Sequence, residues 1–277
     1  MPVATVSTLA VPGASLYYEV RGTGHVLLLI GGGIYDAAAL APLADLLADR
    51  WTVVTYDRRG NSRSPLTGPS APQDVEAHVD DAHRLLLALG DERPAAVFGN
   101  SSGAQIALGL TAQHPDQVRI VVAHEPPVFA LLGDAAHWED VLDEVAAVCA
   151  IDGPDAAMAV FGDAVGRGED AAGAASPVDV PPEVAAMLAR FAANTAYFVE
   201  HEVPVFGRWV PDLAALRNDG VRVVPAVGAD SEGEPPHRAG QAVAALLGVD
   251  ALVLPGGHGG FGTHTARFAE VLRQVLS

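Results

Sequence analysis

Short apolar runs alternate with amphipathic stretches along most of the chain. Alternation in Val3–Val11 and Leu16–Val20 predicts two strands with one wet face, joined by a turn at Pro12-Gly13. His25–Ile30 is a continuous apolar run, as a strand covered on both faces requires. It stops at Gly31-Gly32-Gly33, and a helix follows from Asp36 with Leu40, Leu43, Leu46 and Leu47 on one face. Further strands are predicted over Thr52–Tyr56, Ala95–Phe98 and Val118–Ala123, separated by helices over Gln73–Gly90 and Ser102–His114. This order implies an α/β fold: a doubly wound, mostly parallel sheet of about eight strands, whose ligands bind beyond the carboxyl ends of the strands.

The rhythm breaks over residues 128–211. Helix-like segments near Ala135–Ala150, Pro154–Val165 and Pro182–His201 follow without a convincing strand, and Asp163–Val180, rich in Gly, Ala and Asp, reads as a loose loop. The alternation resumes with strand Val221–Val227, helix Arg238–Leu247, strand Ala251–Leu254 and helix Thr265–Leu276. The chain thus divides into a core, residues 1–127 and 212–277, and a helical insertion, residues 128–211.

Composition narrows the partners more than the chemistry. A chain of 277 residues, 50% of them hydrophobic, suits one large domain carrying an insertion. Thirty-four acidic residues stand against 16 arginines and no lysine, for a formal charge of −18. That balance disfavours nucleic acid and anionic membranes as partners. Cys149 is the only cysteine, which excludes an intrachain disulfide and a Cys-based zinc site, and it reads as a small buried hydrophobe. Met1 to Gly24 has neither the basic start nor the apolar run of a signal peptide. No stretch approaches the roughly 18 apolar residues of a membrane span, so a cytoplasmic location is expected.

The candidate chemistry centres on Gly99-Asn100-Ser101-Ser102-Gly103, between a predicted strand and a predicted helix. In G-x-S-x-G the serine sits at a sharp turn that lifts its hydroxyl clear of the sheet, and the flanking glycines avoid collisions with neighbouring backbone. A helix beginning there aims free N–H groups and its positive dipole end at any oxyanion that forms.

This stretch, with its strand, helix and further matches in order, resembles the α/β-hydrolases over nearly the whole chain. The resemblance implies a helical cap at the insertion and a serine nucleophile, Ser101, activated by a histidine on the loop after the last strand. That loop reads Pro255-Gly256-Gly257-His258-Gly259-Gly260, which makes His258 the base and His264, at a predicted helix start, its rival. The acid has two candidates. The usual family position falls in Gly228-Ala229-Asp230-Ser231, where Ser231 occupies the acid's place and Asp230 lies one residue early. A minority of the family, the zearalenone lactone hydrolases among them, draws the acid from the strand end that here carries Glu125. Glu125 is preferred, with Asp230 the alternative.

The same resemblance assigns the oxyanion donors to the N–H groups of Ser102 and Gly33, with Ile34 as the fallback and Gly32 keeping the family's glycine beside them. The segment Asp57-Arg58-Arg59-Gly60-Asn61-Ser62-Arg63-Ser64 is similar to the family's D-x-R-G-x-G-x-S loop, with Ser62 where glycine is usual. Asp57 and Arg59 are expected to brace loops near the oxyanion site.

Glu76, His78, Asp80, Asp81 and His83 have metal-ligand residue types, but helical spacing scatters them over more than one face and predicts a solvated surface. Aromatic residues concentrate in the insertion, where Trp138 and Trp209 are the candidates to line an apolar substrate pocket. The expected activity is hydrolysis of an ester or lactone of a fairly apolar small molecule, without metal or organic cofactor. Carbon–carbon bond hydrolysis and cofactor-free perhydrolysis use the same triad, and a non-catalytic small-molecule receptor on the same fold is the alternative from another class.

Overall fold

The apolar runs become the middle of one eight-stranded sheet, seen in a computed structural model that describes residues 4–69, 73–166, 182–217 and 220–277. Its strands are β1 (Thr5–Val11), β2 (Ala14–Arg21), β3 (His25–Ile30), β4 (Trp51–Tyr56), β5 (Ala95–Asn100), β6 (Val118–His124), β7 (Arg222–Gly228) and β8 (Leu252–Leu254). They lie in the order β1-β2-β4-β3-β5-β6-β7-β8. The first hairpin and the β2–β4 pairing are antiparallel, and every later pairing is parallel. Val3, predicted to open the first strand, lies outside the described residues.

Helices α1 (Ala37–Leu47), α2 (Val75–Ala88) and α3 (Ser102–Gln113) follow β3, β4 and β5. Between β6 and β7 come α4 (Ala135–Asp152), α5 (Pro154–Ala164), α6 (Pro182–Tyr197) and α7 (Val203–Phe206). The chain closes with α8 (Pro235–Leu247), α9 (Gly260–Thr263) and α10 (Thr265–Leu276).

Alternation within β3 explains why its run is apolar throughout. Leu27 and Leu29 join the layer of α1 and α10, with Leu40, Leu43, Phe268 and Leu272. Val26, Leu28 and Ile30 join the opposite layer of α2 and α3, with Val79, Leu85, Ile106 and Leu110. Leu46 departs from expectation: it is 38% exposed, because the buried stripe of α1 runs through Leu40, Leu43, Ala44 and Leu47. Helix α2 starts later than predicted, at Val75, where Asp74 caps it by accepting from Ala77 N at 2.7 Å.

The described part of the β6–β7 segment carries helices and no strand, stacked as a third layer around Trp138, Leu142, Val145, Phe198 and Val203. Two boundaries differ from the sequence reading. Asp163 and Ala164 still belong to α5, and residues 167–180 of the predicted loop lie outside the described residues. The helix predicted to run to His201 ends as α-helix at Tyr197 and continues as one π-helical stretch, Phe198–Glu202, before Pro204 in α7. Cys149 is only partly buried. Among the described residues no helix is long and apolar enough to cross a membrane.

Leu28 is fully buried in the α2–α3 layer, whereas Leu46 is partly in water. Leu28→Ala is expected to lower unfolding free energy by roughly 2–5 kcal/mol in urea titration, and Leu46→Ala by less than about 1 kcal/mol.

Candidate active site

The reversal of strand order puts the ends of β3 and β5 side by side, with Ile30 opposite Gly99. Gly31–Gly33 leaves β3 and Ser101 leaves β5 at this edge. Ser101 has φ 56° and ψ −127°, a conformation that costs an L-residue energy and that the surroundings must enforce. A Cβ on Gly99 would strike the Gly103 carbonyl, and one on Gly103 would strike the Ile30 carbonyl. Gly32 is pressed equally close, since a Cβ there would stand 2.6 Å from Ser101 Cβ. These contacts give the glycines of the motif their reason.

Ser101 N donates to His124 O at 2.9 Å, which ties the turn to the residue before Glu125. Glu125 is itself a non-glycine residue with positive φ, 50°, and is completely buried. Its Oε2 lies 2.7 Å from His258 Nδ1. Its Oε1 accepts from Gly228 N at 2.8 Å and from the Ser231 hydroxyl, and His237 Nδ1 stands 3.7 Å away. Burial works to raise the carboxyl's pKa, but the hydrogen bonds from His258 and Ser231 and the nearby imidazoles outweigh it and hold it at about 2.

His258 follows β8 on a loop whose Gly256 has φ 82°. Its carbonyl accepts from Asn100 Nδ2 at 3.0 Å, so the residue before Ser101 fixes the histidine loop. Gly33 N donates to Ser102 Oγ at 2.9 Å, bringing the two proposed oxyanion residues into contact. Ser101, Ser102, Gly32, Gly33, Glu125 and His258 therefore gather at one edge of the sheet. The fallback, Ile34, is the next residue of the same loop.

Other candidates lie elsewhere. Asp230 is exposed and its N–H donates to Gly256 O at 3.0 Å, while the next residue, Ser231, turns inward to Glu125. His264 sits beside the exposed Thr263 hydroxyl at the start of α10. Trp138 is stacked on Phe129 with ring centres 3.9 Å apart inside the helical layer. Trp209 packs over Gly109 and donates to Glu76 Oε1 at 3.1 Å, which places it against α2 and α3. The aromatic ring that stands over Gly33 is that of Phe198.

A family model described as "alpha/beta hydrolase fold" matches residues 25–149. The chain is 34% identical over 276 residues to the uncharacterized hydrolase YraK of Bacillus subtilis, covering 97% of this chain and 95% of that one. The chain belongs to the α/β hydrolase fold family. A zearalenone hydrolase of Bionectria ochroleuca is 32% identical over 141 residues, 49% of this hydrolase and 53% of that protein. Among solved structures, a thermophilic esterase from Thermogutta terrifontis shares the fold with a TM-score of 0.73 at 20% identity, covering 100% and 98% of the two chains.

The loop after β4 departs from expectation. Asp57 does brace the start of α1, accepting from Ala37 N at 2.8 Å. Arg59, however, reaches Asp81 on α2 through bonds of 2.6 and 2.7 Å, and it is Arg58 that touches the Gly33 carbonyl. The metal-type cluster on α2 is a solvated face only in part, with Glu76 exposed and Asp80 and His83 partly so. His78 and Asp81 are buried, the one beside Phe206 and the other under Arg59. Among the described residues no group of three or more His, Cys, Asp or Glu is placed to hold a metal.

Asn100 and Ser231 escaped the sequence reading. A polar residue ending an otherwise apolar buried strand was the available signal for Asn100. For Ser231 only the departure at the family's acid position pointed to anything.

Glu125 is more acidic folded than unfolded, so its stabilising contribution is full above about 4.5 and disappears as pH falls towards about 2. The stability gap between wild type and Glu125→Gln is accordingly expected to narrow as pH falls from about 4.5 towards about 2, as followed by urea unfolding at stepped pH.

Proposed function

We propose that this hydrolase cleaves an ester or lactone of a fairly apolar small molecule through an acyl-enzyme on Ser101. The observation that carries the reading is the 2.7 Å contact between Glu125 Oε2 and His258 Nδ1. A carboxylate there holds the imidazole with Nδ1 protonated, so that the Nε2 lone pair serves as the base for the serine hydroxyl. Ser101 Oγ then bonds the substrate carbonyl carbon as His258 Nε2 takes its proton. The carbonyl electrons move onto oxygen, and the N–H groups of Ser102 and Gly33 receive that charge. In the free enzyme Ser102 Oγ occupies Gly33 N–H, so the substrate oxygen displaces this hydroxyl.

Collapse of the tetrahedral species expels the alcohol, which takes its proton from His258. Water, deprotonated by the same imidazole, attacks the acyl carbon and frees Ser101. The helices between β6 and β7 act as a cap, and Phe198 supplies an apolar wall beside the oxyanion. Preference for a lactone follows from the acid's place after β6 and from the partial likeness to a zearalenone hydrolase.

Fluorophosphonate is expected to label the wild type at Ser101 and to leave Ser101→Ala unlabelled, as read by intact-protein mass spectrometry. Absence of an adduct on the wild type, together with no turnover of p-nitrophenyl esters, would mark a receptor instead.

The two acids separate by kinetics. Glu125→Gln should lose on the order of 10⁴ in kcat. Asp230→Asn, altering an exposed side chain, should stay within about threefold of wild type. The reverse pattern transfers the role to Asp230.

A further inference from the structure

We propose that Arg58, Asn194 and Glu202 are positioning residues through which the helical layer sets the aim of the Gly33 N–H. This rests on the reading of Gly33 as an oxyanion donor. Glycine at 33 has no side chain to restrict its backbone, and its φ of 51° lies where glycine is favoured. The peptide that carries this N–H is tied within the loop by Tyr35 N, which donates to Gly32 O at 3.1 Å, and what grips the next two peptides sets how that turn sits.

Two successive carbonyls of this loop are gripped, the first by a core arginine that the helical layer holds and the second by the helical layer itself. The Gly33 carbonyl accepts from Arg58 Nη2 at 2.5 Å. The other arm of that guanidinium, Nη1, donates to Glu202 Oε2 at 2.7 Å, with both side chains fully buried. Glu202 Oε1 accepts from Asn61 Nδ2 at 3.1 Å, so both carboxylate oxygens are used. The Ile34 carbonyl accepts from Asn194 Nδ2 at 2.9 Å. Asn194 is locked in turn by Ser62, whose N–H donates to Oδ1 at 2.8 Å.

Stability alone does not call for charge at this place. A buried ion pair loses hydration on both partners, and apolar side chains of similar volume often stabilise as well or better. The forked guanidinium offers instead a rigid link from one carboxylate to one peptide carbonyl, a geometry that a single ammonium does not reproduce. Displacement of the helical layer would part Asn194 from the Ile34 carbonyl and Glu202 from Arg58, and so loosen the oxyanion loop.

The test compares wild type with the double variant Arg58→Met/Glu202→Leu, which removes both charges at once, and with Asn194→Leu. Steady-state kinetics on p-nitrophenyl butyrate, inhibition by phenylboronic acid and thermal melting are measured on each full chain. The boronic acid becomes tetrahedral on bonding a serine oxygen and so reports on the oxyanion site. The positioning role predicts a kcat lower by on the order of 100-fold, KM within about threefold, and boronate affinity falling in proportion to kcat. Arg58→Lys, able to reach one acceptor but not both, should fall between wild type and the double variant.

A lowered melting temperature with kcat and boronate affinity within twofold of wild type would overturn the proposal and leave a structural tie. Should the double variant fail to fold, Asn194→Leu decides on the same readouts. A wild type that takes no fluorophosphonate at Ser101 refutes the hydrolase reading and this proposal together. A wild type labelled at Ser101, with unaffected variants, refutes the positioning role alone.

Discussion

A single buried carboxylate joins the loops of the candidate site. Glu125 is fully enclosed, and an ion removed from water is tolerated only where donors replace the lost hydration. The donors come from three places: the imidazole of His258 after β8, the N–H of Gly228 at the end of β7 and the hydroxyl of Ser231 just beyond. Because Glu125 itself follows β6, one charge fastens the ends of three neighbouring strands. Its left-handed backbone carries a cost of order 1–3 kcal/mol, which these bonds offset.

The seam between sheet and helical layer is held by paired charge and by buried apolar contacts. Arg58 meets Glu202 there, and Arg190 of α6 meets Asp36 at the head of α1 with 2.9 Å between them. Glu202 and Arg58 raise competing fields around Tyr197, whose hydroxyl burial pushes up to about 12. His78 is driven the other way, its protonated form disfavoured by burial and by Arg58 and Arg59. The segment Phe198–Glu202 thus presents Phe198 over Gly33 and its glutamate to the core arginine.

Much of this was legible in the sequence, for identifiable reasons. Runs such as Val26–Ile30 and Val118–Ala123 have to be buried on both faces, and only the centre of a parallel sheet provides that. The Gly99–Gly103 turn declared itself because its glycines answer a local steric demand. What stayed hidden depends on partners distant in sequence. Arg58 and Arg59 are adjacent and chemically alike, and only the places of Glu202 and Asp81 decide which serves the Gly33 loop. The acidic and histidine residues of α2 looked solvated because periodicity does not reveal that Arg59 and Phe206 cover two of them. Trp138 looked like a pocket wall because stacking on Phe129 leaves no mark in composition.

The π-helical turn limits how freely the helical layer can be exchanged among relatives. A residue beyond the α-helical count shifts the phase of everything after it by roughly 100° about the axis. The inward heading of Glu202 belongs to that phase, so a transplanted layer with an unbroken α-helix would present its acid to a different neighbour. Modular shuffling of this layer therefore has to carry the irregular turn along with it, whereas the outward faces of α4 and α5 are free to drift one substitution at a time.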